Sequence, residues 1–189
     1  MKRKAALSLA VTVLICFLTP LSGMAGQSGG LGFAKKFQEP GYGYFMEYPL
    51  DWVYETQTGK TIIFSGPSGT KAWYSTVSIQ NVLTTKGGGK YADVDALVAE
   101  FKSQLNKSGD ARFSSVEAVT YHKNNITLPG KQFIAEYTKD KERFKQWLII
   151  LSRSNGNILH AWFYTSPIGQ YDEFLGIAKS MLESWTYLE

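Results

Sequence analysis

Residues 147–151 read Trp-Leu-Ile-Ile-Leu, five apolar side chains in succession. On a strand, successive side chains point to opposite faces. A run that is apolar at every position must therefore meet an apolar layer on both faces. This run is expected to be the heart of a central strand over 143–152, with material packed above and below it. Upstream, the turn Asp140-Lys141-Glu142 connects it to a strand over 131–138. Downstream, Asn155-Gly156 leads to a strand over 157–164, and Asn-Gly predicts a type I′ hairpin because it tolerates positive φ.

Working outward, the earlier part of the chain is also strand-rich. Strands are expected over 33–37, 44–48, 60–65, 76–83 and 112–122, with Pro49, Gly66-Pro67-Ser68-Gly69 and Gly87-Gly88-Gly89 as breaks. In 76–83, Val77, Ile79 and Leu83 share one face, with Ser78 and Gln80 on the other. Two segments carry helical periodicity instead. Val94, Leu97, Val98, Phe101 and Leu105 form one stripe, with Asp93 as N-cap and Ser108-Gly109 as the stop. Phe174, Ile177, Ala178, Met181, Leu182 and Trp185 form the other, over about 169–185, with Asp172 and Glu173 at the end that favours acids. Short links between consecutive strands imply an antiparallel sheet, and segregated helices imply an α+β fold. The expected architecture is a sheet of about six to eight strands with helices on both faces.

The N-terminus reads as an address. Lys2, Arg3 and Lys4 precede the largely apolar run 5–18, and Thr19-Pro20 breaks it. Gly23 and Ala25 are the small residues of a cleavage site, so residues 1–25 form an expected signal peptide cut after Ala25. The run falls short of the roughly 20 apolar residues that span a bilayer. Ile15 before Cys16 does not suit a lipid-attachment motif. Residues 26–32 are then a Gly/Ser-rich tether, and 33–189 a single domain. With 44% hydrophobic and 19% charged residues the composition is globular and excludes wholesale disorder. Loss of residues 1–25 removes three positive charges, taking the net charge from +4 to about +1 and weakening any case for nucleic-acid binding. It also removes the sole cysteine, and with it disulfides and thiolate chemistry.

Two phrases add a resemblance. Residues 43–52, Gly-Tyr-Phe-Met-Glu-Tyr-Pro-Leu-Asp-Trp, resemble the opening of the PsbP-like fold, which includes PsbP and DcrB-type exported proteins. Phe174-Leu175 through Met181-Leu182-Glu183-Ser184-Trp185 is similar to its closing helix. The resemblance implies an α/β/α sandwich whose members mostly bind or assist other proteins, and it supplies no catalytic residues.

No motif of known chemistry competes with that reading. His160 shares a strand face with Ile158, Trp162 and Tyr164, the setting of a packed histidine, and His122 stands at a turn beside Lys123-Asn124-Asn125. The pairs Asp93/Asp95, Asp140/Glu142 and Asp172/Glu173 are accounted for by capping, turns and helix dipoles. Neither glycine loop has phosphate-loop spacing, and Asn125-Ile126-Thr127 matters only in a host that glycosylates exported proteins. Trp52 is expected to be a packing anchor. The expected protein is exported, periplasmic or secreted, non-enzymatic, and without cofactor or metal. It binds a protein partner or assists envelope assembly; the alternative is a small-molecule or lipid binder with a pocket under a helix. The expected contact surface is the segment 66–74, with Trp73, Tyr74 and Lys71 as its contact residues, because aromatic side chains beside a loop suit protein interfaces.

Overall fold

A computed structural model of the chain describes residues 35–57 and 60–188. The expected signal peptide 1–25, the tether 26–32 and the strand start at Phe33 lie outside the described residues. The fold is α+β, built on an antiparallel eight-stranded sheet. Its strands are β3 (Val53–Gln57), β4 (Thr61–Ser65), β5 (Thr76–Leu83), β6 (Arg112–Phe113), β7 (Glu117–Lys123), β8 (Ile126–Lys139), β9 (Glu142–Ser152) and β10 (Ile158–Pro167). They lie in the order β3-β4-β5-β10-β9-β8-β6, with β7 also pairing β8. A second sheet of three strands joins β1 (Lys35–Glu39), β2 (Tyr44–Tyr48) and β11 (Thr186–Tyr187). The helices are α1 (Val94–Leu105) and α2 (Tyr171–Ser184).

The run 147–151 sits on β9, flanked by β10 and β8, as a two-faced strand must. Alternate residues enter different cores. Leu148 and Ile150 join Ala161 and Phe163 of β10 and Leu97, Val98 and Phe101 of α1. Ile149 and Leu151 join Trp162 and Tyr164 of β10, Tyr44 and Met46 of β2, and Ala178 and Met181 of α2. Each large apolar side chain buried in this way contributes about 1.5–3 kcal/mol. Asp93 caps α1 as expected, its side chain accepting from the Ala96 N–H at 2.9 Å. Trp52, 1% exposed, is the anchor its position suggested.

The turns depart from expectation. Only Gly156 in the β9–β10 link has positive φ, so Asn155-Gly156 is not a type I′ turn; the loop spans 153–157 and closes with Gly156 N–H donating to Arg153 O at 2.9 Å. Two-residue turns with both φ positive occur at Asn124-Asn125 (50° and 64°) and Asp140-Lys141 (51° and 69°). Strand β8 starts at Ile126 rather than 131 and runs through Pro129 and Gly130. Pro129 is tolerated because it lies opposite Thr120 of β7 beyond the reach of β9, whose pairing with β8 starts at Gly130. Gly130 has a steric reason. A Cβ there would lie 2.1 Å from Ile150 O on β9. Gly130→Ala is expected to cost about 1–3 kcal/mol, measured as a lower urea midpoint with unchanged slope.

Candidate functional site

The segment 66–74 is a self-closed loop rather than an open tip. Gly66 N–H donates to Ala72 O at 3.1 Å, and Thr70 Oγ1 donates to Pro67 O at 2.7 Å. Gly69 takes φ +82°, the left-handed region that Gly enters without strain. A Cβ on Gly66 would meet the Ala72 Cβ at 2.2 Å, so the loop folds tightly on itself. Residues Lys71–Tyr74 then form a 3₁₀ turn. Trp73 is half-buried and Tyr74 is exposed at 44%.

Four contacts fasten this turn and Ser75 after it to the end of β10 and the start of α2. Gln170 Nε2 donates to Lys71 O at 3.1 Å and to Ser75 Oγ at 3.3 Å. Ser75 Oγ and Ser166 Oγ share a buried hydrogen bond of 2.8 Å. Lys71 Nζ lies 3.5 Å from Glu173 Oε2, an exposed pair. Between the turn, the start of β9 and the start of α2 opens a surface cleft of about 380 Å³. Lys71, Glu142, Arg143, Gln170 and Glu173 line it with the exposed Ile168, whereas Trp73 and Tyr74 are not among its walls. The cleft is rimmed by charges of both signs and carries no nucleophile paired with a base.

The loop at the other end of β5, residues 84–90, is likewise apart from this patch. It contains a 3₁₀ turn at Thr85–Gly87 and pairs Thr84 with Tyr91.

A second polar cluster lies buried in the core. His160 of β10, 1% exposed, shares a 2.8 Å hydrogen bond with Asn81 Oδ1 through Nδ1, and its Nε2 accepts from Arg153 Nε at 3.1 Å. Asn81 Nδ2 donates to Tyr44 Oη at 3.3 Å and to Lys60 O at 3.4 Å. The Arg153 guanidinium donates to Tyr42 O and lies 4.7 Å from the Tyr187 ring centre. Burial, reinforced by the Arg153 charge, pushes the His160 imidazole down to about 3. Burial pushes the Tyr44 phenol up. Both ring nitrogens of His160 are thus taken by Asn81 and Arg153, with no carboxylate beside them, and the neutral ring is locked as a structural hydrogen-bonding group. Asn81 is the member sequence reasoning missed. The usable signal is that it occupies an apolar-face position of β5, in phase with Val77, Ile79 and Leu83.

His122 is exposed on β7, its Nδ1 2.9 Å from Thr127 Oγ1. Of the carboxylates, Asp95 pairs with Lys131, and Glu142 and Glu173 border the cleft. The space under α2, walled by Ile79, Leu151, His160, Trp162, Leu182 and Trp185, is about 10 Å³. That is roughly the room one water needs. Among the described residues, no helix is long and apolar enough to cross a membrane.

No protein-family model matches the chain, and no curated protein matches it in sequence. Several solved structures are similar to it in fold. One is cyanobacterial PsbP (CyanoP) from Synechocystis sp. PCC 6803, with TM-score 0.53 and 13% identity, covering 86% of this chain and 98% of that one. Another is the Saccharomyces cerevisiae Ran-binding protein Mog1p, with TM-score 0.55 and 8% identity, covering 83% and 96%. A third is LpqN, involved in cell envelope biogenesis of Mycobacterium tuberculosis, with TM-score 0.50 and 12% identity, covering 84% and 93%. The chain spans about half, 48%, of a similar Bacteroides thetaiotaomicron protein. At such identities the likeness is one of fold, and the fold is PsbP-like.

Proposed function

We propose that this chain of PsbP-like fold is an exported, non-enzymatic accessory protein that binds a protein partner of the cell envelope through the segment 66–74. The export rests on the signal-peptide layout of residues 1–25, with cleavage after Ala25, the tether 26–32 and a single domain over 33–189. In that domain α1 and α2 cover opposite faces of the large sheet, a reading supported by the alternation of β9 and β10 residues between two cores. Ran binding by Mog1p and the envelope role of LpqN are consistent with an accessory role on this fold.

One observation carries the binding site. The turn Lys71–Tyr74 is pinned at Lys71 by Gln170, yet it holds Tyr74 44% exposed, while Lys71 at its start lines a cleft with charges of both signs. A rigid aromatic side chain costs little entropy when it is buried at an interface, which favours Tyr and Trp as anchors. Lys71 contributes a charge at the rim, where it steers encounter more than it adds affinity.

The test is a Trp73→Ala, Tyr74→Ala double variant of the tagged chain, captured from envelope extract in parallel with wild type. The variant should keep its circular dichroism and melt within a few degrees of wild type while losing the captured partner. A variant that unfolds would make Trp73 and Tyr74 core residues and remove the site. A variant that folds and still captures the partner would place the contact elsewhere.

A further inference from the structure

We propose that β7 is the pairing edge of a homodimer, in which two copies join their eight-stranded sheets antiparallel about a two-fold axis at Thr120. Strand β7 lies outside β8 at one border of the sheet, and β3 lies at the other. An edge strand presents a row of unspent N–H and C=O groups. The two-residue turn Asn124-Asn125 makes Lys123 and Ile126 the hydrogen-bonded pair next to the turn. Bonded pairs then alternate, so Lys123, Tyr121, Val119 and Glu117 spend their main chain on β8. Pro129 fits this phase: it has no N–H, and it stands opposite Thr120, in a pair that needs none. The main chain of Ala118, Thr120 and His122 therefore points away from the sheet.

The sequence of β7 is complementary to its own reverse. With Thr120 against Thr120 of the second copy, Ala118 faces His122, Val119 faces Tyr121, and Glu117 faces Lys123, each pair made twice by symmetry. The Lys123 ammonium donates to Glu183 O at 2.6 Å and Ser184 O at 3.3 Å at the end of α2, which fixes its charge on this face. This register brings together about six new main-chain hydrogen bonds, two opposite-charge pairs and two aromatic–β-branched pairs, the pairings that stabilise antiparallel strands. The side chains of Ala118, Thr120 and His122 are exposed, so none of them has to leave a packed position when a strand joins the edge. The opposite border lacks this property. An antiparallel two-fold pairing of β3 on itself centres on Glu55 and sets like charges face to face. The occupant chosen by charge complementarity is thus a second copy of this chain, not an arbitrary extended peptide. The surface is separate from the segment 66–74, so the two readings fail independently.

The experiment uses the full chain with Cys16→Ser, so that Thr120→Cys introduces the sole thiol. Opposed residues of a hydrogen-bonded antiparallel pair have Cα atoms about 5.5 Å apart, within disulfide range. Mild oxidation should convert most of the protein to a covalent dimer of twice 21.1 kDa, whereas Glu55→Cys on the same background should form no covalent dimer. Sedimentation equilibrium supplies the second arm. Glu117→Lys, which sets lysine against Lys123, should weaken dimerisation roughly tenfold or more with circular dichroism unchanged. A wild-type chain that sediments as a monomer at about 100 μM, a low affinity for this interface class, would overturn the proposal. So would a dimer that fails to cross-link through position 120, or one indifferent to Glu117→Lys.

Discussion

Trp185→Ala is expected to lower stability by about 3–5 kcal/mol, as truncation of a buried tryptophan does. Trp185 is 2% exposed and stands where α2 ends and β11 begins. Its ring lies 4.9 Å from Tyr121 of β7, 5.5 Å from His160 of β10 and 5.7 Å from Tyr44 of β2. One side chain therefore ties α2 and both sheets together. Its carbonyl also accepts from Tyr121 Oη at 3.0 Å, and its N–H donates to Met181 O at 3.1 Å. The indole N–H, by contrast, has no hydrogen-bond partner among the described residues. Trp185→Phe keeps a ring and loses no hydrogen bond, so it should cost less than half as much. Urea denaturation of both variants checks this. Equal losses would mean that the part of the indole that a phenyl ring cannot replace carries the whole effect.

Such central packing was legible in the sequence, because burial on two faces leaves a mark at every position. The run 147–151 is of this kind; the stripes of α1 and α2 mark burial on one face by their helical period, and all three lie where the pattern places them. The three-stranded sheet was not legible. Strand β11 is two residues long, too short for any period, and β2 gives no sign of which strands will flank it. Strand β3 is exposed from Val53 to Thr56, so it shows no alternation of inside and outside. Turns failed for a related reason. Asn-Gly is the stronger local signal for a two-residue hairpin, but loop length is set by where the flanking strands find their register. At 153–157 that register leaves five residues, and at Asn124-Asn125 it leaves two.

The site was legible only in part. Glycine and proline in 66–69 mark a loop, and an aromatic pair follows it. The 3₁₀ turn over Lys71–Tyr74 depends on Gln170, 99 residues away from Lys71, and no local pattern encodes that bond. The buried cluster has the same character. His160 was readable as a packed residue from its neighbours on β10, while its partner Asn81 lies 79 residues away and announces itself only as a polar residue in an apolar phase.

That cluster carries the second large prediction, an acid sensitivity that His160 imposes on the fold. The neutral ring donates from Nδ1 to Asn81 and accepts at Nε2 from Arg153, an assignment that follows from Arg153 being donor only. Protonation would put a second N–H against the Arg153 donor and a second positive charge beside the first, in a site with no carboxylate contact. Tyr44, Trp185 and Tyr187 surround the ring and offer no compensating charge. The folded-state value of about 3 lies below the 6.5 of an unfolded chain. The unfolded state therefore binds more protons between those values, and stability rises with pH across that window. The contribution is complete above about pH 6.5 and is lost as pH falls toward 3. At 1.36 kcal/mol per unit the whole depression is worth on the order of 5 kcal/mol. His160→Gln removes the titration while its amide oxygen can still accept from Arg153. The variant should be less stable than wild type at pH 7, by about 1–3 kcal/mol for the lost Asn81 bond. It should lose less of its stability between pH 7 and pH 4, so the two urea-derived profiles converge on acidification. Carboxylates elsewhere titrate in both proteins and cancel in the difference. Parallel profiles across that window would mean that His160 is not what acid attacks.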